Sequence, residues 1–229
     1  MPQVRHFMLL VLLNCLLSLA HAQATGLLYD PQPPADSAYV RVIHAAQGKN
    51  IDIKVNDKIR ISALKSATAS DYMVLPAGRQ IVTVHSSQPT PRTIKIPVEV
   101  IAGRSFSLVL SSLSGEGKTL LLTDKANGNK MKAVLTAYHL APELGKIDIL
   151  TTDGTKVFGN LSAETASHLS VNPIQVTLGI HQSNDKQPLS QTTLNMDYGG
   201  TYSLLIMSGD KGKTEVHAIQ NKVERYTGK

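Results

Sequence analysis

The chain has 229 residues, with 23 Lys and Arg against 17 Asp and Glu and a formal net charge of +6. A single cysteine and no tryptophan exclude a disulfide-stapled scaffold, a thiolate metal centre and a tryptophan-lined sugar platform. The length suits two domains of ordinary size, and the basic balance suits an anionic partner such as an acidic polysaccharide or a phospholipid surface.

Residues 1–22 read as a signal peptide. Arg5 and His6 form a short polar start, Phe7 to Ala20 is apolar except for Asn14 and Ser18, and Ala20-His21-Ala22 offers a small-x-small cleavage site before Gln23. Cys15 is embedded in that apolar run, so the chain from Gln23 onward has no cysteine and must be held by its cores. The expected location is the periplasm, and no later stretch is apolar enough to span a membrane.

Residues 23–37 form an arm in which Leu27-Leu28-Tyr29 precede Pro31, Pro33 and Pro34. Prolines at that density hold backbone extended and without ladder donors. The arm is expected to dock through Leu28 and Tyr29.

From Ala38 the pattern is strand after strand. Ile51-Asp52-Ile53-Lys54-Val55 alternates cleanly, and further runs fall at 72–75, 80–85, 93–101, 105–110 and 120–123. Turn chemistry separates them, as at Asn56-Asp57, Pro76-Ala77-Gly78 and Ala102-Gly103. Pro97 inside a run marks an edge strand or a bulge. A polar stretch with an Asn-Gly step supplies a linker at 127–131. Strands then resume near 132–138, 146–151, 167–171, 174–181, 191–197, 202–207 and 214–219.

The second series repeats the first. Tyr39-Val40-Arg41-Val42-Ile43-His44 answers to Val134-Leu135-Thr136-Ala137-Tyr138-His139, and Asp52 between isoleucines answers to Asp148 between isoleucines. Leu64 to Ser70 matches Leu161 to Ser167, Pro76 matches Pro173, and Gly103 to Leu110 matches Gly200 to Ile206, in order and at nearly constant offset. That is an internal duplication. The expected fold is all-β: two tandem immunoglobulin-like β-sandwich domains, at 38–126 and 132–229.

Six histidines follow Gln23, none at a spacing that makes a metal pair, and no serine elbow or phosphate-cradling loop is present. His44 and His139 recur where a strand ends, which points to a structural hydrogen bond. Asp52 and Asp148 fall on the outward face of their strands and are expected to be solvated or to act between strands. Phe106 and Tyr202 are equivalent and expected in the cores. From Leu27 to Ala126 there are 12 basic against 8 acidic residues, and from Lys130 onward 10 against 9, so the first half carries most of the field. Arg41, Arg60, Arg79, Arg92 and Arg104 are therefore the candidate contacts for a carboxylated polymer or a partner.

Leu28-Tyr29-Asp30-Pro31 with Pro33-Pro34, Tyr39-Val40-Arg41-Val42, Asn172-Pro173-Ile174-Gln175-Val176 and Gly199-Gly200-Thr201-Tyr202-Ser203 resemble the AlgF family of periplasmic alginate O-acetylation proteins. The resemblance implies a non-catalytic adaptor. Its implied partners are a membrane-bound O-acyltransferase and a periplasmic SGNH-type acetyltransferase, with an anionic polysaccharide as a further one. No catalytic residue, metal, cofactor or nucleic acid is implied. Alginate is the expected polymer and cellulose the alternative. The rival readings are an acetyl-carrying or acetyl-transferring enzyme with a Ser or His acceptor, and a polyuronate-binding module.

Overall fold

A computed structural model describes residues 31–48, 50–86, 91–113, 119–183, 185–209 and 212–227. Pro33–Glu224 form one compact unit. Leu28 and Tyr29 lie outside the described residues.

Among the described residues the compact unit has 17 strands in four sheets. In the first half these are β1 (Ser37–His44), β2 (Ile51–Val55), β3 (Lys58–Leu64), β4 (Thr68–Ala69), β5 (Met73–Pro76), β6 (Gly78–Ser86), β7 (Arg92–Val100), β8 (Ser105–Leu110) and β9 (Thr119–Asp124). In the second they are β10 (Ala133–Leu140), β11 (Ile147–Thr151), β12 (Lys156–Leu161), β13 (Thr165–Val171), β14 (Ile174–Gln182), β15 (Ser190–Met196), β16 (Thr201–Ser208) and β17 (Thr214–Gln220).

The duplication is visible in the sheet order. One sheet runs β4-β1-β8-β9 with β5 also on β1, and its counterpart runs β13-β10-β16-β17. The other two run β3-β2-β6-β7 and β12-β11-β14-β15. Both inner sheets hold a parallel pair, β1 with β8 and β10 with β16. Each half is a sandwich around its own core. The first is built on Val40, Val42, Ile53, Val82, Val84 and Leu108, the second on Leu135, Ile147, Ile149, Ile180, Leu204 and Ile206. Phe106 and Tyr202 occupy equivalent places in the two cores. Pro97 lies on β7, which is an edge strand as its missing N–H requires.

A third apolar cluster joins the halves. Ile43 and Val109 from the first sandwich meet Tyr138, Leu140, Leu205 and Met207 from the second. These residues have the opposite parity to the core residues of the same strands, so the two inner sheets pack face to face. That explains why β10 is buried at every position and β1 at all but one. Strands covered on both faces lose polar alternation and read as apolar runs.

Two edge strands, β3 and β12, were not foreseen from the sequence. Both break their alternation at a β-bulge, where Ala63 (φ 53°) and Asn160 (φ 52°) take left-handed backbone. The recurring aspartates serve those bulges. Asp52 Oδ1 accepts the Ala63 N–H at 2.8 Å, and Asp148 Oδ1 accepts the Asn160 N–H at 2.7 Å. The expected inter-strand role is what Asp148 performs, but it is not solvated: Lys156 and Ser183 also bond it, and it is 5% exposed.

Candidate functional site

The one buried cation among the predicted site residues is Arg41. It sits mid-strand on β1 with outward parity, and because β1 is covered on both sides, outward means into the seam between the sandwiches. Arg41 is 1% exposed. Its Nε donates to Ser107 Oγ at 2.7 Å, Nη1 to Asn221 Oδ1 at 2.6 Å, and Nη2 to Tyr138 Oη at 2.9 Å and Ser203 Oγ at 2.8 Å. The guanidinium carbon lies 4.8 Å from the Tyr72 ring centre and 5.3 Å from that of Tyr138, within range for cation–π attraction.

The counter-ion is Asp124 at the end of β9. Its Oδ2 is 4.0 Å from Arg41 Nε, and the pair is bridged by Ser107, which accepts from Arg41 and donates to Asp124 at 2.7 Å. Tyr72 Oη donates to the same oxygen at 2.7 Å, and Tyr138 Oη donates to the other. Ser203 Oγ donates to Asn221 Oδ1 at 2.8 Å. Both charges of the pair are thus hydrogen-bonded, as a buried pair requires.

Burial opposes the charge on Arg41, but Tyr138, Tyr72 and Asp124 outweigh it and hold the guanidinium pKa above its usual value. Burial pushes both phenols well above the usual tyrosine range, against the pull of Arg41. Four of the five guanidinium N–H groups are directed at the chain's own atoms. A cavity of about 100 Å³ beside it is lined by Tyr72, Asp124, Lys125, Tyr138, Asn221 and Lys222. Chemically this arrangement is an ionic staple between two domains.

The other arginines do not gather around Arg41. Arg60, on β3, is half-buried and pairs with Glu224, whose Oε1 also accepts the Val74 N–H at 2.8 Å. Arg79 is exposed at the start of β6 across from Glu99. Arg104 is exposed in the turn before β8, at the same end of the first sandwich as Arg79. Arg92 is exposed at the opposite end, across from Ser86. The five therefore share no face.

Asp124, Ser107, Ser203 and Asn221 were not singled out from the sequence. One signal for the centre was available: Arg41 interrupts an otherwise apolar strand, and its repeat counterpart is the uncharged Thr136.

The histidines are structural where their contacts are known. His139 Nε2 lies 2.7 Å from the Gly145 carbonyl and Nδ1 accepts the Ala141 N–H at 3.4 Å, which fixes the Nε2–H tautomer. Burial lowers its pKa, keeping it neutral. Asp148 on β11 is paired across strands with His181 on β14, and Ser183 follows that strand. There Ser183 Oγ donates to Asp148 directly at 3.2 Å, and no hydrogen bond joins it to His181 among the described residues. That is not the nucleophile-to-base order of a triad. Among the described residues no three His, Cys, Asp or Glu converge as metal ligands, and no helix is long and apolar enough to cross a membrane.

Comparison with known proteins adds the family. Alginate biosynthesis protein AlgF of Pseudomonas aeruginosa is 29% identical over 208 residues, spanning 88% of this chain and 88% of that protein. The AlgF protein of Pseudomonas putida is 26% identical over 168 residues, spanning 73% and 72%. A solved structure of the C-terminal domain of Pseudomonas aeruginosa AlgF covers 40% of this chain at 22% identity, with a TM-score of 0.35, too loose a superposition to add to the fold described above. The family model for "Alginate O-acetyl transferase AlgF" matches residues 11–199, all of the first half and most of the second, and the chain belongs to that family.

Proposed function

We propose that this chain is a non-catalytic periplasmic adaptor in the O-acetylation of an exopolysaccharide, with alginate as the polymer. It would link a membrane O-acyltransferase to a periplasmic acetyltransferase. The relatives named alginate biosynthesis proteins support the pathway. The observation that carries the adaptor role is the Arg41 centre. Its polar groups are directed inward to fix two sandwiches as one block, so the outer sheets are held as two faces at constant separation. Rigid presentation of two faces is what a protein bridging two enzymes needs.

The test is co-purification of the exported chain with each acetylation enzyme, together with incubation against an activated acetyl ester. The expected result is capture of both enzymes and no covalent acetyl on the chain by mass spectrometry. Acetylation abolished by one Ser or His substitution would overturn the adaptor reading in favour of an acetyl carrier.

A second reading, a polyuronate-binding face, rests on the outer side of the first sandwich. Thr83 on β6 is buried at 6% exposure with no partner for its Oγ1, and its neighbours across both flanking strands are Lys54 and Lys95. A hydroxyl flanked in register by two lysines suits a carboxylate. Titration with uronate oligomers is expected to show affinity that falls as salt rises, and a flat titration would dismiss this reading.

A further inference from the structure

The two inner sheets run the same way. Across the seam Arg41 reaches Ser203 and, six residues on, Gln47 Nε2 donates to the Ser208 carbonyl at 3.1 Å, so β1 and β16 advance together. Since β8 is parallel to β1 and β10 to β16, all four strands begin at one end of the compact unit. The turns that lead into them, 101–104, 125–132 and 197–200, therefore emerge together.

That end carries exposed apolar side chains on turn tips. Ile101 is 54% exposed, Met131 67%, Tyr198 67% and Ile174, at the adjoining start of β14, 50%. Ile101 and Tyr198 hold the same place in the two copies of the duplication, just before a turn glycine. The tips are held in fixed positions. Asn127 Nδ2 donates to the Lys132 and Gly200 carbonyls, Asn127 Oδ1 accepts the Asn129 N–H, and Asn129 Oδ1 accepts the Met131 N–H at 2.9 Å. Gly199 N–H donates to the Lys132 carbonyl at 3.1 Å, tying the Tyr198 turn to the Met131 turn. Ordering that is already complete need not be supplied on docking.

The charge in these three turns is mainly positive: Arg104, Lys125, Lys130 and Lys132 stand against Asp197, with Asp36 before β1 and Glu99 across from Arg79 as further acids at this end. None of the four cations is in an ion pair among the described residues, and Lys132 Nζ donates to the neutral Asn172. Large apolar residues on tips beside unpaired cations match the layered chemistry of a bilayer surface: anionic headgroups outside and acyl chains beneath.

We propose that this end seats on an anionic phospholipid surface, with Met131, Tyr198 and Ile101 entering the acyl boundary and Arg104, Lys125, Lys130 and Lys132 at headgroup level. Seating would set the long axis of both sandwiches upright on the membrane and leave the outer sheets free to meet partners at its surface.

The experiment is flotation of the chain beginning at Gln23, which contains all three apolar clusters, with vesicles of phosphatidylcholine alone or doped with phosphatidylglycerol. Flotation is expected only with phosphatidylglycerol and should fall as salt is raised. Lys130→Glu with Lys132→Glu should lower the vesicle partition by about thirty-fold or more. Met131→Ser with Tyr198→Ser should lower it by about ten-fold or more. Leu189→Ser, at the other end of the second sandwich, should leave it unchanged, and circular dichroism melting should be unaltered in every variant. Absence of flotation at low salt, equal flotation with both lipids, or equal loss with Leu189→Ser would overturn the proposal. So would full flotation of the Lys130→Glu, Lys132→Glu protein. None of these outcomes depends on an acetylation enzyme, so this proposal and the adaptor reading fail separately.

Discussion

Replacing Arg41 with methionine tests the account of the seam. The substitution keeps an unbranched apolar stem and removes the guanidinium. It deletes four hydrogen bonds and two cation–π contacts, and leaves Asp124, 5% exposed, as a carboxylate without its counter-ion. At a separation near 4 Å and an effective dielectric of about 20, the pair attraction alone is about 4 kcal/mol. Breaking a buried pair from one side costs about 3–5 kcal/mol. Three hydroxyls, from Tyr72, Ser107 and Tyr138, still donate to Asp124 and soften the loss, which places the expected destabilisation near the lower end, about 3 kcal/mol.

Because the loss is concentrated at the seam, unfolding should also become less concerted, with the sandwiches melting apart. Urea denaturation of the exported chain reads both effects. Far-ultraviolet circular dichroism follows the sheets, and tyrosine fluorescence, with no tryptophan to obscure it, reports on all seven tyrosines, Tyr72 and Tyr138 at the interface among them. Removing the second charge in Arg41→Met with Asp124→Asn should return part of the loss, a coupling of about 1–3 kcal/mol. A single mutant within about 1 kcal/mol of the parent, or a double mutant that loses the sum of the two singles, would refute the claim that this pair fastens the domains.

Further outcomes follow from the same geometry. Tyr138→Phe removes a donor to Asp124 and an acceptor for Arg41 without changing shape, and should cost about 1–3 kcal/mol by urea midpoint. Ala63→Gly relieves a left-handed alanine in the β3 bulge and should raise stability by about 0.5–1 kcal/mol, measurable as a higher melting temperature. The His139 pKa is lowered on folding, so the folded state binds fewer protons; its contribution is complete above about 6.5 and is lost as pH falls below it. His139→Gln should flatten the stability-versus-pH curve in that window. Asp148 is likewise lowered overall, since its bonds to Asn160 and Lys156 outweigh the opposing effect of burial; its contribution holds above about pH 4 and disappears below. Asp148→Asn should remove that acid limb of the curve.

The repeat made the architecture legible, because it gave two independent strand patterns to overlay. Pro97 marked an edge, and Phe106 and Tyr202 marked equivalent core sites. Edge strands β3 and β12 were lost because a bulge shifts parity midway, and Ala63 and Asn160 carry no side-chain signal for left-handed backbone. The site was legible only as composition. Five arginines in one half suggested a basic face, yet whether an outward residue meets water or another sheet depends on how the sandwiches pack, and strand parity cannot tell these apart. Arg41 shows the limit: its position in the alternation was clear, and its burial came from a partner sheet about ninety residues away in sequence.

The seam also shows what duplication did and did not preserve. By strand register, Arg41 corresponds to Thr136, Ser107 to Ser203, Ile43 to Tyr138 and Val109 to Leu205, while Asp124, opposite Ser105, corresponds to Asn221, which donates to Thr201. The serines and the apolar positions keep their kind, but the cation and the carboxylate occur only in the first copy. Two identical copies facing each other would set cation against cation and acid against acid within a few ångströms, which the interior does not tolerate. With one charged copy and one neutral copy, a single ion pair is shared by both sandwiches and completed by Tyr138, Ser203 and Asn221 from the second. The first sandwich cut off at the linker would keep Arg41 and Asp124 on an exposed sheet but lose three of the four groups that bond the guanidinium. The polar half of the seam is therefore specific for the fused partner in a way its apolar half is not. Ile43, Val109, Leu205 and Met207 would accept any flat apolar sheet, and the Arg41 centre accepts the one that brings Tyr138 and Asn221.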